Sequence, residues 1–93
     1  MFTPRRAAAI HMADRFTEKQ GQYLAFIDGY TVMHGRAPAE ADLERFFRTT
    51  PPTIHQMILK LEEKGLISRS PGQARSIKLL VEPNDVPRLK RPG

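Results

Sequence analysis

The sequence predicts a mainly α-helical domain closed by a small β-hairpin, and three observations in its 93 residues predict it. Apolar residues recur at spacings of three and four in three separate stretches, the period of a helix that buries one face. Cap-forming residues and glycines punctuate those stretches where helices start and stop. After the last of them, residues 66–69 and 75–79 are β-compatible runs split by a Pro-Gly turn. Three helices plus a two-stranded wing amount to a winged helix-turn-helix.

The first helix opens at Thr17, an N-cap whose capping-box partner is Gln20. Tyr23, Leu24, Ile27, Tyr30 and Thr31 follow at helical spacing, Phe26 broadens the face, and His34-Gly35 supplies the stop. Gly21 and Gly29 each cost this helix about 1 kcal/mol relative to alanine, so it must draw stability from packing or admit a close neighbour. Arg36-Ala37-Pro38 is a connector, and residues 39–48 form the second helix, with Pro38 at its first turn and Glu40, Asp42 and Glu44 near its positive end. Leu43, Phe46 and Phe47 are its core residues; a pair of phenylalanines between apolar neighbours is core rather than a stacking platform for single strands. Thr49-Thr50-Pro51 then makes the short turn of a helix-turn-helix.

The third helix is predicted over residues 51–64, with Thr50 as N-cap and Pro51 at the first helical position, where a missing N–H costs nothing. Ile54, Ile58 and Leu61 stack on one face and leave Thr53, Gln56 and Lys60 on the other. Lys64 suits the negative end of the helix, and Gly65 can take the left-handed conformation that stops it. In the wing, Ser70-Pro71-Gly72-Gln73-Ala74 turns the chain with positive φ expected at the glycine. Ile67, Ile77 and Leu79 share the inner face, while Arg69, Arg75 and Lys78 sit near the loop or point to solvent.

Around this domain, taken as residues 16–80, residues 1–15 are expected to be a flexible arm and residues 81–93 a flexible basic tail, rich in Pro and charge, with no face to bury. Met12 is an alternative start to Met1. The chain has no cysteine, so disulfides, thiolate metal sites and thiol nucleophiles are excluded. No apolar run approaches the roughly 20 residues that span a bilayer, and no signal-peptide core is present, which leads to the expectation of a cytoplasmic protein with no membrane partner. His11, His34 and His55 are more than twenty residues apart and lack partners at catalytic or metal-binding spacing. No enzyme activity, metal, cofactor or small-molecule ligand is expected.

The net charge of +5 is unevenly spread. Residues 17–67 carry six Lys/Arg against seven Asp/Glu, residues 1–16 carry +2 and residues 68–93 carry +4. Basic termini often serve solubility alone; the other reading is an electrostatic footprint on a polyanion. The outward face of the third helix favours the second, because Thr53, His55, Gln56 and Lys60 present hydrogen-bonding groups and no acid precedes Glu62. Gln56 can bond an adenine edge bidentately, Thr53 and His55 can contact bases or phosphate, and Lys60 can reach phosphate or guanine. Thr49 and Thr50 stand at the helix N-terminus, where hydroxyls and free N–H groups can hold a phosphate. Arg69, Gln73, Arg75 and Lys78 place the wing on the backbone or minor groove. The expected partner is double-stranded DNA, with a homodimer possible.

With these pieces in place, Phe16-Thr17-x-x-Gln20-x-x-x-Leu24-x-Phe26-Ile27-x-x-Tyr30-x-x-x-x-Gly35-x-x-Pro38 resembles the opening of the N-terminal DNA-binding domain of LexA-type repressors. Pro51-x-Thr53-Ile54-His55 and Leu61-Glu62-Glu63-Lys64-Gly65-Leu66-Ile67 are similar to that family's recognition helix and its entry to the wing. The resemblance covers residues 16–80 and implies a sequence-specific transcriptional regulator, a repressor in the family's usual mode, that binds operator DNA as a dimer. Three departures stand against it. Ala39 replaces the usual Ser or Thr cap of the second helix, the turn at Phe47-Arg48-Thr49 is one residue shorter and lacks the usual Gly, and the family's self-cleaving peptidase domain does not follow, so no cleavage switch is expected. The competing expectation is a winged-helix interaction module without DNA binding that docks an acidic partner through Leu59, Met57 and the basic tail. RNA ranks last, because an A-form groove does not admit a helix.

Overall fold

The structure is a computed structural model that describes residues 15–92. Of the expected N-terminal arm, residues 1–14 lie outside the described residues. Among the described residues the order is helix α1 (Glu18–His34), helix α2 (Glu40–Phe47), helix α3 (Pro51–Glu63), strand β1 (Ile67–Ser68), strand β2 (Lys78–Leu79) and a 3-10 turn at Pro83–Asp85. The two strands pair antiparallel, Ile67 opposite Leu79 and Ser68 opposite Lys78.

Each helix end has a local cause. The Thr17 hydroxyl accepts from the Gln20 N–H at 3.1 Å and the Gln20 carboxamide accepts from the Thr17 N–H at 3.0 Å, which satisfies two of the orphan donors at the start of α1. Helix α2 is shorter at both ends than the sequence suggests. Ala39 is its N-cap and offers no side-chain acceptor, but Asp42 supplies the reciprocal bond, its Oδ2 accepting from the Ala39 N–H at 2.8 Å. At the other end Arg48 takes the left-handed conformation (φ 54°, ψ 53°) in place of the missing glycine. Helix α3 ends in a Schellman motif: the Gly65 N–H donates to the Glu62 carbonyl at 2.9 Å, the Leu66 N–H to the Leu61 carbonyl at 3.0 Å, and Gly65 has φ +75°.

Tyr23, Leu24 and Ile27 of α1, Leu43 of α2, Ile54, Ile58 and Leu61 of α3, and Leu66, Ile67 and Ile77 of the wing form one buried core, with Leu79 partly buried against it. The outer members of the predicted α1 face end elsewhere: Tyr30 is half-buried and Thr31 is exposed, its hydroxyl donating back to the Ile27 carbonyl at 2.8 Å. Phe47 stacks on Tyr23 with ring centroids 4.2 Å apart and planes within 1°, an arrangement that adds about 0.5–1.5 kcal/mol beyond area burial. Phe46 is only half-buried and rests on Phe26, with centroids 4.8 Å apart.

Residues beyond Leu80 depart from the expectation of a segment with no face to bury. Val81 is buried in the core and Val86 packs against it. The Gln22 carboxamide holds the following backbone from both sides, donating to the Arg88 carbonyl at 2.9 Å and accepting from the Lys90 N–H at 2.7 Å. The segment thus straps the flank of α1, and the apolar valines that Pro and charge outnumber in the sequence are what seat it.

Candidate nucleic-acid interface

Helix α3 projects a polar face built by its own periodicity. With Ile54, Ile58 and Leu61 buried, Pro51, Pro52, Thr53, His55, Gln56, Leu59 and Lys60 are exposed. The Thr50 hydroxyl accepts from the Thr53 N–H at 3.4 Å and lies 2.9 Å from the Thr53 hydroxyl, so cap and first turn form one hydroxyl pair at the positive helix end. Thr49 is half-buried beside them. No acidic residue occupies the first turn.

Two acids approach this face, one from α2 and one from α3 itself. Glu40, at the start of α2, places its Oε1 3.5 Å from His55 Nδ1, an ion pair when the imidazole is protonated. Glu63 lies 3.5 Å from Lys60 Nζ, with both side chains mostly exposed; pairs of this kind are worth little and release the lysine readily. The interaction-module residues separate as well. Met57 packs against the core, and Leu59 is exposed without it. The more exposed apolar residues, Val32 and Met33 at 77% and 78%, lie at the end of α1.

The wing begins as predicted and then differs. Ser70-Pro71-Gly72-Gln73 is a turn closed by the Gln73 N–H donating to the Ser70 carbonyl at 3.1 Å, with Gly72 at φ +77°. Regular pairing covers only two residues on each side, because Arg75 adopts φ +56° and leaves the strand. A side-chain clasp takes over from the ladder: Ser76 Oγ accepts from the Ser70 N–H at 2.9 Å and donates to the Ser70 carbonyl at 3.2 Å. Gln73 and Lys78 are exposed.

Arg69 and Arg75 do not point to solvent as expected. Arg69 Nε donates to Glu62 Oε1 of α3 at 3.1 Å. Arg75 Nη1 reaches back to the Tyr30 hydroxyl at 3.0 Å, the Ala37 carbonyl at 3.2 Å and Asp42 Oδ2 at 3.0 Å. The physical reason is the pair of nearly or partly buried carboxylates these guanidiniums neutralise, an advantage over hydrated solitude that spacing along a strand cannot disclose. Burial pushes the Asp42 carboxyl up, but the Ala39 N–H, Arg75, the Tyr30 hydroxyl and Arg45 outweigh it and hold the group below the usual carboxylate range.

A capped, acid-free helix N-terminus set across a short turn from a second helix, with a hairpin packed beside it, defines a winged helix-turn-helix. Residues 13–76 match the family described as LexA DNA binding domain. The chain is 39% identical over 66 residues to a LexA repressor of Thermosipho melanesiensis, a match covering 71% of this chain and 33% of that protein. It is 39% identical over 70 residues to the LexA repressor of Thermosipho africanus, covering 75% and 35%, and 31% identical over 68 residues to that of Geobacter metallireducens, covering 72% and 34%. The chain belongs to the LexA DNA-binding domain family. It spans about a third of the length of these curated relatives.

Proposed function

We propose that this domain binds double-stranded DNA in a sequence-dependent way and serves transcriptional regulation, with α3 in the major groove and the wing against the backbone or minor groove. The observation that carries the reading is the exposed polar face of α3 behind an acid-free, doubly hydroxylated N-terminus. Thr49 and Thr50 meet phosphate at the helix dipole. Thr53, His55 and Gln56 lie within the first two turns, the part of such helices that reaches base edges, with Gln56 the main source of specificity. Lys60, Gln73 and Lys78 flank them and contact the backbone.

The membership of the LexA DNA-binding domain family supports this docking mode, and repression is the regulatory outcome that the names of the relatives suggest. Dimeric binding is part of the proposal. Selection from random duplex DNA followed by motif analysis tests it: enrichment of a motif, palindromic if two copies bind together, is the expected result. An unenriched library, or binding indifferent to salt, defeats it.

A further inference from the structure

Three elements converge on one carboxylate. Asp42, third residue of α2 and 8% exposed, accepts from the Ala39 N–H and from Arg75 through Oδ2, and from Arg45 through Oδ1. Arg75 enters from the wing, and the same guanidinium nitrogen touches Tyr30 of α1 and Ala37 of the connector. Its backbone lies in the left-handed region, which residues with a side chain avoid, so its native conformation has to be held by what the side chain binds.

Leu66, Ile67 and Ile77 anchor the base of the wing in the core, and among the described residues little else fixes the loop beyond it. The ladder is two residues per strand, and the serine clasp ties the loop only to itself. Two arginine tethers connect the loop to the helices: Arg69 to Glu62 of α3, and Arg75 to Asp42, Tyr30 and Ala37. An arginine whose task was a phosphate at the wing tip would extend from the tip. Here it is folded under the loop against the start of α2.

We propose that Arg75 is a positioning residue: by bridging onto Asp42 it sets the wing relative to α3, and it acts on duplex binding through this brace and not by touching phosphate. The inference rests on the duplex-binding reading above. It reverses the sign expected for one charge change. Removing the negative charge of Asp42 weakens binding if Arg75 is a brace, whereas it frees a cation and strengthens binding if Arg75 is a phosphate contact.

The test is fluorescence-anisotropy titration of a selected duplex over a salt series, with thermal unfolding of each variant. Asp42→Asn keeps an acceptor for the Ala39 N–H; it is expected to weaken binding about tenfold, the scale of one charged hydrogen bond, with the slope of log K against log salt unchanged. Arg75→Lys retains the charge, but its Nζ ends one bond short of the point where Nη1 meets Tyr30, Ala37 and Asp42, so it fails to rescue, and the double variant binds no worse than either single one. In the folded Asp42→Asn protein, amide exchange accelerates over residues 69–77 and not in α3. If Asp42→Asn does not fold, Tyr30→Phe, which removes one acceptor, is expected to give a smaller loss with the same salt slope. Tighter binding by Asp42→Asn, near-normal binding by Arg75→Lys, or a slope lowered by about 0.9 in Arg75→Ala overturns the proposal alone. Absence of duplex binding by the parent chain overturns the reading beneath it.

Discussion

Replacing each of the two glycines inside α1 by alanine should stabilise the domain at Gly29 and fail to stabilise it at Gly21. Both positions are helix interior, so each substitution gains about 1 kcal/mol of helix propensity. The surroundings decide the rest. A Cβ built on Gly29 meets no described atom within 4 Å, whereas one on Gly21 falls 2.9 Å from Pro87 Cγ and 3.1 and 3.3 Å from the Phe16 ring. Gly29→Ala therefore keeps the full gain, an increase in Tm of about 4–8 °C for a domain of this size. Gly21→Ala adds an overpacking cost of about 1–3 kcal/mol, because a proline ring on the strap and a ring against the core must both yield. Its net effect is between neutrality and about 2 kcal/mol of destabilisation. Urea unfolding with a shared m value measures the difference, expected at about 1–3 kcal/mol. Equal stabilisation by both variants would show that residues 86–88 do not rest on α1, and the account of the strap would fall with it. Neither change touches the face of α3, so duplex affinity should match the parent in both.

Gln56→Ala should relax sequence preference, costing about 1–3 kcal/mol at the base pair it reads while leaving non-specific affinity intact; competition titrations with single-base operator variants check this. Gly65→Ala should destabilise by about 1 kcal/mol, since no described atom lies within 4 Å of the new Cβ and the cost is that of a left-handed backbone alone, measurable by urea unfolding. Because the folded-state pKa of Asp42 lies below its unfolded value of about 3.9, the stability it confers is fully present above that pH and is lost as pH falls through the depressed value. Asp42→Asn should accordingly flatten the acid limb of a stability–pH profile.

The helices were legible because their signals are short-range. The Thr17–Gln20 box, the Thr50-Pro51 start and the Gly65 stop each act over three or four residues, and all three stand where the sequence predicts. The hydroxyl and amide face of α3 follows from the same periodicity, since burying Ile54, Ile58 and Leu61 leaves the remainder outside. The turn after α2 was harder to read. Nothing in Phe47-Arg48-Thr49 announces a left-handed residue, and Arg48 supplies that conformation despite its Cβ. The strap was missed because two valines among prolines and charges show no periodicity, and their burial depends on the core that the helices and wing assemble.

The sequence by itself determined the elements, their order, the core stripe and the polar face of α3, because caps, turns and 3.6-residue periodicity are enforced within a few residues of chain. Only the tertiary structure decided which charges are available. Arg69, Arg75 and His55 all count as outward cations or donors along the chain, yet each meets a carboxylate on another element: Glu62, Asp42 and Glu40. Their partners are 7, 33 and 15 residues away along the chain, and such pairs arise from the angles at which helices and wing pack. A guanidinium beside a carboxylate shielded from water is bound more firmly than one in solvent, so packing, and not spacing, assigned these arginines their place.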